Sequence, residues 1–313
     1  MNEAIDKVAI ALEEFTKGKT DTPIRAAIPI KKEQATALFM PSYVDSENSI
    51  GIKFVSVYPN NKNSGKKTIY GVMMLADAHT GEPLAFMDAS YLTMLRTGAA
   101  SGLATKLLAR KNSKKLTVIG TGVQAEGIIN AILAVRPIEE IILNNRSSEK
   151  AEDLKNRLSD FYGHIVIKVI QNSNEAVADA DIVVTATNSL NPVLSGETIK
   201  EGTHINAIGS FRPNMQELPT FLMKRANKIV VEARDAALEE SGDLFIPIHE
   251  GELTYDDIYA ELGEISLNRK AGREDDKEIT IFKSVGLATM DVVIAKAVYD
   301  QAISLQLGVE VHL

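Results

Sequence analysis

Residues 116–127 constrain the fold of this chain more than any other stretch of it. They read Leu-Thr-Val-Ile-Gly-Thr-Gly-Val-Gln-Ala-Glu-Gly, which is a short apolar strand, a glycine turn and the start of a helix. Gly120 permits the tight turn, Gly122 lets backbone N–H groups approach a ligand, and Ala125 lets the helix pack closely on the strand. Because a helix N-terminus also favours negative charge, this arrangement predicts a site for a dinucleotide pyrophosphate.

The surroundings of this motif support the same interpretation. Residues 114–233 alternate short Val- and Ile-rich segments with segments of helical spacing. Buried strands separated by helices predict a parallel, doubly wound sheet that is covered on both faces. We therefore predict an α/β chain with a Rossmann domain. The residues of the turn expected to contact the cofactor are Gly120, Thr121, Gly122, Val123 and Gln124.

The two ends of the chain have a different pattern. Residues 68–86 predict an antiparallel hairpin, and a helix is expected from Asp88, as its N-cap, to Ala109. A long helix predicted over 288–307 can return to the first domain. We therefore expect a discontinuous α+β domain for substrate binding and dimerisation, residues 1–113 with 289–313, and an NAD(P)-binding Rossmann domain, residues 114–288.

Composition excludes several classes of protein. The chain has 313 residues, a formal charge of −8 and no cysteine, so disulfides and Cys-ligated zinc are excluded. The negative charge argues against nucleic acid and anionic membrane surfaces as partners. The amphipathic N-terminal segment does not resemble a signal peptide, and scattered histidines predict no metal site. We expect a cytoplasmic protein.

The segment after the second predicted Rossmann strand bears on the form of the cofactor. An NAD site has a carboxylate at this position that accepts a hydrogen bond from the ribose 2′-OH. This chain instead has Asn144-Asn145-Arg146-Ser147-Ser148. An arginine with neighbouring hydroxyls suits a 2′-phosphate, so NADP(H) is the preferred cofactor, bound by Asn145, Arg146 and Ser147, with NAD(H) as an alternative. The alternative is that Arg146 is a solvated surface arginine that caps a turn.

Two basic residues stand in apolar surroundings. Lys53 lies in the predicted strand Ile-Gly-Ile-Lys-Phe-Val-Ser-Val, which is apolar on both faces, so a partly buried ammonium with an anionic partner is expected. A lysine that snorkels at a sheet edge is the alternative. Arg96 lies between Met94-Leu95 and a run of small residues, where an arginine facing solvent is not the obvious choice.

Six blocks in this order resemble the ornithine cyclodeaminase/μ-crystallin family. They are Arg25-Ala-Ala-Ile-Pro, Leu38-Phe-Met-Pro41, Gly51-Ile-Lys-Phe-Val-Ser-Val-Tyr-Pro59, Leu95-Arg-Thr-Gly-Ala-Ala-Ser101, Gly120-Thr-Gly-Val-Gln-Ala125 and Phe282-Lys-Ser-Val-Gly-Leu-Ala288. The resemblance covers nearly the whole chain. It implies a homodimer whose subunit has a Rossmann domain inserted into a dimerising substrate domain.

The resemblance also implies which residues form the site. A substrate α-carboxylate is expected at Arg25, Lys53 and Arg96, with Thr97 beside them. The family places Ser284 and Gly286 near the nicotinamide. The end of the fourth Rossmann strand, Thr185, Ala186 and Thr187, is expected to pass the adenosine half of the cofactor.

One departure from the family pattern bears on the reaction. Cyclodeaminases and the family's alanine dehydrogenases carry an Asp in a Gly-x-Asp-x-Pro segment, and in this chain Gly209-Ser-Phe-Arg-Pro213 places Phe211 at that position. Phenylalanine cannot exchange a proton. The resemblance then favours an NADPH-dependent ketimine reductase, which converts Δ1-pyrroline-2-carboxylate or Δ1-piperideine-2-carboxylate to L-proline or L-pipecolate. Lys53 is expected to supply or relay the imine proton.

Three alternatives remain open from the sequence. One is ornithine cyclodeamination, and the second is an alanine or opine-type dehydrogenase on the same fold. The third is a μ-crystallin-like protein that binds NADPH and a small ligand without turnover. The carboxylate clamp of Arg25, Lys53 and Arg96 argues against binding alone, because such a clamp beside a hydride source forms a reductase site.

Overall fold

The structure, a computed structural model, describes residues 1–311 and contains one antiparallel and one parallel sheet. These residues form two compact units. Unit 1 comprises Met1–Ile5 and Thr97–Leu287, and unit 2 comprises Asp6–Arg96 and the described residues from Ala288 on. The α/β class predicted from the sequence is confirmed.

Helices and strands follow one another along three stretches of the chain. The first stretch forms α1 (Asn2–Thr16), β1 (Thr20–Asp21), β2 (Ala26–Ile30), β3 (Ala35–Val44), β4 (Ser49–Val57), β5 (Ile69–Asp77), β6 (Pro83–Asp88) and α2 (Ala89–Leu108). The middle forms β7 (Lys115–Ile119), α3 (Val123–Val135), β8 (Glu140–Asn144), α4 (Ser148–Phe161), β9 (Val166–Val169), α5 (Ser173–Val177), β10 (Ile182–Thr185) and β11 (His204–Ala207). The last stretch forms α6 (Thr220–Arg225), β12 (Lys228–Val231), α7 (Arg234–Glu240), α8 (Gly242–His249), β13 (Ile258–Glu261), α9 (Leu262–Ser266), β14 (Thr280–Lys283) and α10 (Ala288–Ser304).

Unit 2 is an antiparallel sheet with the order β1-β3-β4-β5-β6, in which β2 also pairs with β3. Alternation along the strands gives the sheet two different faces. One face carries Met40, Lys53 and Met73 in register, and these residues are buried where α10 packs on β3, β4 and β5. The other face is apolar but exposed, with Phe54 and Phe86 among its residues.

Unit 1 is a parallel sheet with the order β13-β12-β14-β11-β10-β7-β8-β9. The strands from β9 to β11 follow the order of a Rossmann fold, with the glycine turn after the central strand β7. Every residue of β10, β11, β12 and β14 is buried, as expected of strands covered on both faces. Their carboxyl ends therefore form one edge, where ligands of such sheets bind.

The boundary between the units lies inside α2, after Arg96, whereas the sequence analysis places the change of domain at 113/114. The small residues of α2 explain where the boundary lies. A Cβ on Gly98 would overlap the carbonyl oxygen of Gly127 in α3, and a Cβ on Gly102 would lie 3.0 Å from that of Ala131. The second half of α2 therefore packs against α3 and belongs to unit 1.

Several local predictions are confirmed. The hairpin forms from β5 and β6, and Asp88 Oδ1 caps α2 by accepting hydrogen bonds from the N–H groups of Ser90 (2.7 Å) and Tyr91 (3.1 Å). Strands β13 and β14 were not predicted, because a polar segment separates them and each has only four residues. Among the helices of residues 1–311, none is long and apolar enough to cross a bilayer.

Candidate active site

The glycine turn of unit 1 is shaped by one close contact and one open space. Gly120 has φ +96°, and a Cβ there would lie 2.5 Å from the carbonyl oxygen of Ala186. Gly122 is the N-cap of α3, and a Cβ on it would meet no protein atom within 4 Å. The turn is thus closed toward β10 and open over the helix N-terminus, which leaves space for a ligand against the backbone.

Two buried polar atoms beside this space have no hydrogen-bond partner among the described residues. They are Thr121 Oγ1 and Gln124 Oε1. Buried polar atoms are normally satisfied, so their lack of partners is consistent with a polar ligand at this turn. Together with the free N-terminus of α3, these residues fit the pyrophosphate of a dinucleotide. Val123 is 70% exposed at the same helix end.

At the end of β8, Arg146 is exposed and forms no hydrogen bond or ion pair with residues 1–311. Ser147 caps α4, and its hydroxyl oxygen accepts a long hydrogen bond (3.4 Å) from the N–H of Lys150. Asn144 is turned inward, with its amide bonded to the carbonyl oxygens of Ile170 and Gln171. Arg146 and the half-buried Asn145 are therefore available to a ligand, and Ser147 is partly committed to the helix.

A buried carboxylate, Glu217, ties the loops after β10 and β11 together. Its Oε1 accepts hydrogen bonds from the N–H (2.6 Å) and the hydroxyl (2.7 Å) of Thr187. Its Oε2 accepts from the N–H of Gly209 (2.6 Å) and the hydroxyl of Thr185 (2.9 Å). Burial raises the pKa of Glu217, while the nearby Lys283 ammonium opposes that shift. The hydroxyls of both threonines are thus committed to Glu217.

Two further carboxylates hold neighbouring parts of the same edge. Asp243 Oδ1 accepts the N–H of Glu217 (2.7 Å), and its Oδ2 lies 3.2 Å from Lys283 Nζ at the end of β14. Glu232 accepts hydrogen bonds from the Ser284 hydroxyl (2.6 Å) and the N–H of Gly286 (2.8 Å). Both carboxylates are buried, so they set the shape of the loops. Glu217 and Asp243 are thus both committed to internal partners.

In unit 2, the buried basic residues share one carboxylate that the sequence analysis did not identify. Lys53 Nζ lies 2.6 Å from Asp291 Oδ2, and Arg96 Nε lies 3.2 Å from Asp291 Oδ1. The exposed fractions are 2% for Lys53, 7% for Arg96 and 1% for Asp291. The anionic partner expected for Lys53 is therefore present, and Lys53 does not snorkel at a sheet edge.

The electrostatics of this cluster favour an anion. The pKa of the Lys53 ammonium is lowered to about 8, because burial and the Arg96 and Arg25 cations outweigh the Asp291 carboxylate, which acts to raise it. At neutral pH, two buried cations share one anion, which leaves a positive charge for a ligand to balance. An uncompensated buried charge is costly, so a bound carboxylate would stabilise the cluster.

Two remaining predicted residues lie in less specific surroundings. Arg25 is half-buried before β2, and Thr97 is buried next to Arg96 in α2.

Phe211 lies in the loop after β11, and the Arg212 guanidinium is 5.6 Å from the centre of its ring. Nothing at Phe211 can exchange a proton. Residues 1–311 contain no group of three His, Asp or Glu side chains that could hold a metal ion.

The sequence did not reveal the partners of three buried carboxylates, Asp291, Glu217 and Glu232. Asp291 follows Lys53 by 238 positions, and nothing local to α10 indicates a partner. Glu217 and Glu232 lie in loops whose sequences do not distinguish a buried glutamate from an exposed one. The available signal for Asp291 was a single acid at the start of an apolar helix, a position at which a helix cap is also common.

Comparison with known proteins identifies the family. The sequence profile of the ornithine cyclodeaminase/mu-crystallin family matches residues 1–306, which confirms the resemblance seen in the motifs. A Δ1-pyrroline-2-carboxylate reductase of Bacillus cereus (strain ZK / E33L) is 53% identical over 308 residues, which cover 98% of this chain and 94% of the relative.

Two solved structures are similar over nearly the full length. The Thermococcus litoralis Δ1-pyrroline-2-carboxylate reductase in complex with NADH and L-proline has a TM-score of 0.96 at 40% identity, covering 99% of this chain and 96% of the other. An archaeal alanine dehydrogenase dimer with bound NAD has a TM-score of 0.93 at 37% identity, covering 100% and 95%.

Proposed function

The chain belongs to the ornithine cyclodeaminase/mu-crystallin family and is an oxidoreductase, and on that premise we propose that it reduces Δ1-pyrroline-2-carboxylate to L-proline. The observation that carries the proposal is the buried cluster of Lys53, Arg96 and Asp291, which has one positive charge left for a carboxylate. The Bacillus cereus and Thermococcus litoralis relatives, both named for this reaction, support the choice of substrate.

The proposed reaction adds a hydride and a proton to a C=N bond. Arg25, Arg96 and Lys53 bind the carboxylate and so fix the position of C2, with Thr97 as a further contact. When bound, the dinucleotide supplies a hydride for C2, and the C=N electron pair moves to nitrogen. Lys53 donates a proton from Nζ to that nitrogen and is left as a neutral amine, which water recharges. With a pKa of about 8, Lys53 is mostly protonated at neutral pH and loses its proton readily.

The dinucleotide is assigned to the glycine turn of unit 1. Gly120 to Gln124 would hold the pyrophosphate, and the loops of Thr185–Thr187 and Ser284–Gly286 would contact the rest of the cofactor. We further propose NADPH as the preferred donor, because Arg146 is exposed and unpaired among the described residues at the point where a 2′-phosphate would lie. NADH is the alternative, since the two similar structures carry NADH or NAD.

We also propose a homodimer formed through the exposed face of the unit 2 sheet. Two apolar rows cross that face in register. The first contains Phe39, Phe54 and Val72, and the second contains Pro41, Ile52, Met74 and Phe86. A broad exposed apolar face marks an interaction surface. A second copy of the chain is the proposed occupant, in keeping with the alanine dehydrogenase dimer among similar structures.

The test is a substrate panel with the purified protein. NADPH and NADH oxidation would be followed with Δ1-pyrroline-2-carboxylate, with Δ1-piperideine-2-carboxylate, and with pyruvate plus ammonia, and ornithine would be tested for proline formation. We expect the fastest turnover with Δ1-pyrroline-2-carboxylate. Lys53→Met should abolish most of this turnover, whereas Lys31→Met, at an exposed lysine of the same unit, should not. Proline formed from ornithine would refute the proposal, and so would tight NADPH binding without turnover of either imine.

A further inference from the structure

Asp291 joins the two basic side chains of the proposed substrate site, although it is itself an anion. We propose that Asp291 is a positioning residue for the reduction, whose carboxylate holds the Lys53 ammonium and the Arg96 guanidinium as a preformed pair of cations. This inference rests on the proposed function, because it assigns Asp291 a role in that same site.

The hydrogen bonds to Asp291 leave N–H donors of both Lys53 and Arg96 free for a ligand. Asp291 uses a different oxygen for each cation, Oδ2 for Lys53 Nζ and Oδ1 for Arg96 Nε. No residue in 1–311 accepts a hydrogen bond from the Nη groups of Arg96, and Asp291 takes only one of the three donors of Lys53 Nζ. The two Nη groups form the edge of a guanidinium that binds a carboxylate with two parallel hydrogen bonds. Asp291 therefore fixes both cations from one side and leaves a donor surface for a ligand.

The charges explain why a carboxylate is needed at this position. Lys53 comes from β4, on the covered face of the unit 2 sheet, and Arg96 comes from α2; both side chains are buried. Two like charges in a buried place repel each other and would move apart or toward solvent. Asp291, from α10, offsets one of them, so the pair keeps its spacing while one net positive charge remains for the substrate.

Asp291 also controls the protonation of Lys53. The charged groups that face Lys53 are Asp291 from α10, Arg96 from α2 and Arg25 from the segment before β2. Only Asp291 raises the pKa of the ammonium, whereas burial, Arg96 and Arg25 lower it. Loss of the carboxylate therefore lowers the pKa of Lys53 below about 8, and the proton is lost at a lower pH.

The decisive experiment compares Asp291→Asn with Asp300→Asn, which removes an exposed carboxylate from the same helix. The first readout is the pH profile of kcat/KM for imine reduction. In the wild-type protein we expect an alkaline fall with a midpoint near 8. Asp291→Asn should move that midpoint down by about one to three pH units and raise KM for the imine, because Arg96 loses its anchor. Asp300→Asn should leave both unchanged.

A second readout does not depend on activity. Protein labelled with ¹³C at lysine Cε would be titrated by NMR, with the Lys53 signal identified by its absence in Lys53→Arg. A lower midpoint in Asp291→Asn supports the proposal, and an unchanged midpoint overturns it. If the wild-type protein reduces neither imine, the proposed function fails, and the Lys53 midpoint still decides whether Asp291 controls this lysine.

A conservative variant covers the case in which Asp291→Asn does not fold. Asp291→Glu keeps the charge but lengthens the side chain by one methylene, which displaces Lys53 Nζ. We expect kcat to fall at least tenfold while the alkaline midpoint remains near that of the wild type. An unchanged kcat in Asp291→Glu would show that the position of Lys53 is not set by this carboxylate, and would overturn the proposal.

Discussion

The carbonyl oxygen of Ala186 lies 2.5 Å from the point at which a Cβ on Gly120 would stand. This contact joins the loop after β10 to the turn after β7, and a side chain at position 120 would force the two segments apart. A Cβ on Gly122, two residues later, would have no protein atom within 4 Å. The two glycines therefore differ: Gly120 is required for packing within the protein, and Gly122 leaves open the space that the proposed cofactor would occupy.

The contrast between these glycines is testable by two alanine substitutions. Gly120→Ala should lower the free energy of unfolding by about 1–3 kcal/mol, because of its φ of +96° and the overlap with Ala186. Gly122→Ala should cost less than about 1 kcal/mol as an N-cap change, yet weaken dinucleotide binding. Denaturant unfolding measures the first effect, and the shift of Tm on adding NADPH measures the second. Normal NADPH binding by folded Gly122→Ala would contradict the assigned pyrophosphate site.

The proposed preference for NADPH rests on Arg146. Arg146→Gln should reduce kcat/KM for NADPH by about 10- to 100-fold, the effect of losing a charge-assisted hydrogen bond, and leave NADH little changed. Arg157→Gln, in the exposed face of α4, is the control. Steady-state kinetics with both cofactors provide the measurement. If the wild-type protein uses NADH as well as NADPH, Arg146 does not bind a 2′-phosphate.

The proposed dimer depends on the apolar rows of the unit 2 sheet. Phe86 is 65% exposed within the second row, so Phe86→Asp would place a charge in the middle of the interface. We expect it to weaken association by about 2 kcal/mol or more, roughly 30-fold in dissociation constant. Sedimentation velocity over a range of concentrations would show this. Phe161→Asp, at an exposed phenylalanine of unit 1, should remain a dimer. Unaltered association of Phe86→Asp would move the interface elsewhere.

His204 should make the fold sensitive to acid. Burial lowers the pKa of this histidine from 6.5 to about 3, helped by the Arg273 and Arg136 cations. The unfolded chain then binds more protons than the folded one between about pH 3 and 6.5, so the free energy of unfolding falls as the pH decreases through that window. Between pH 7 and 5 the contribution is about 2 kcal/mol. His204→Gln should remove this dependence on pH, whereas His164→Gln, at an exposed histidine, should not. Urea titrations at pH 7 and pH 5 measure the free energy of unfolding of each variant.

Much of the fold follows from local patterns. The glycine turn, the alternation of strands and helices after residue 114 and the hairpin of β5 and β6 all depend on residues that are neighbours in sequence. An anionic partner for Lys53 could also be predicted, because burying the charge of a lysine in an apolar strand costs free energy unless an anion lies beside it. The identity of that partner could not, since Asp291 reaches Lys53 only through the packing of α10 on the sheet.

Other features needed tertiary information. Lys283 ends a four-residue strand and is fully buried, although a lysine at the end of a short strand is typical of a surface. Thr185 and Ser284 were expected to face the cofactor, but their hydroxyls are bonded to Glu217 and Glu232. A hydroxyl beside a binding loop can turn inward or outward, and only the position of the buried acid decides which.

The bonds of Glu217, Asp243 and Lys283 have a consequence for how such sequences can change. Glu217 satisfies two loops, Asp243 holds the backbone of Glu217, and Lys283 neutralises Asp243. A single substitution in this set leaves a buried charge without its counterpart, whereas a paired loss of Asp243 and Lys283 removes both charges together. Among descendants of one ancestral sequence, positions 243 and 283 should therefore be inherited or replaced as a couple, and a lineage lacking one of them should also lack the other.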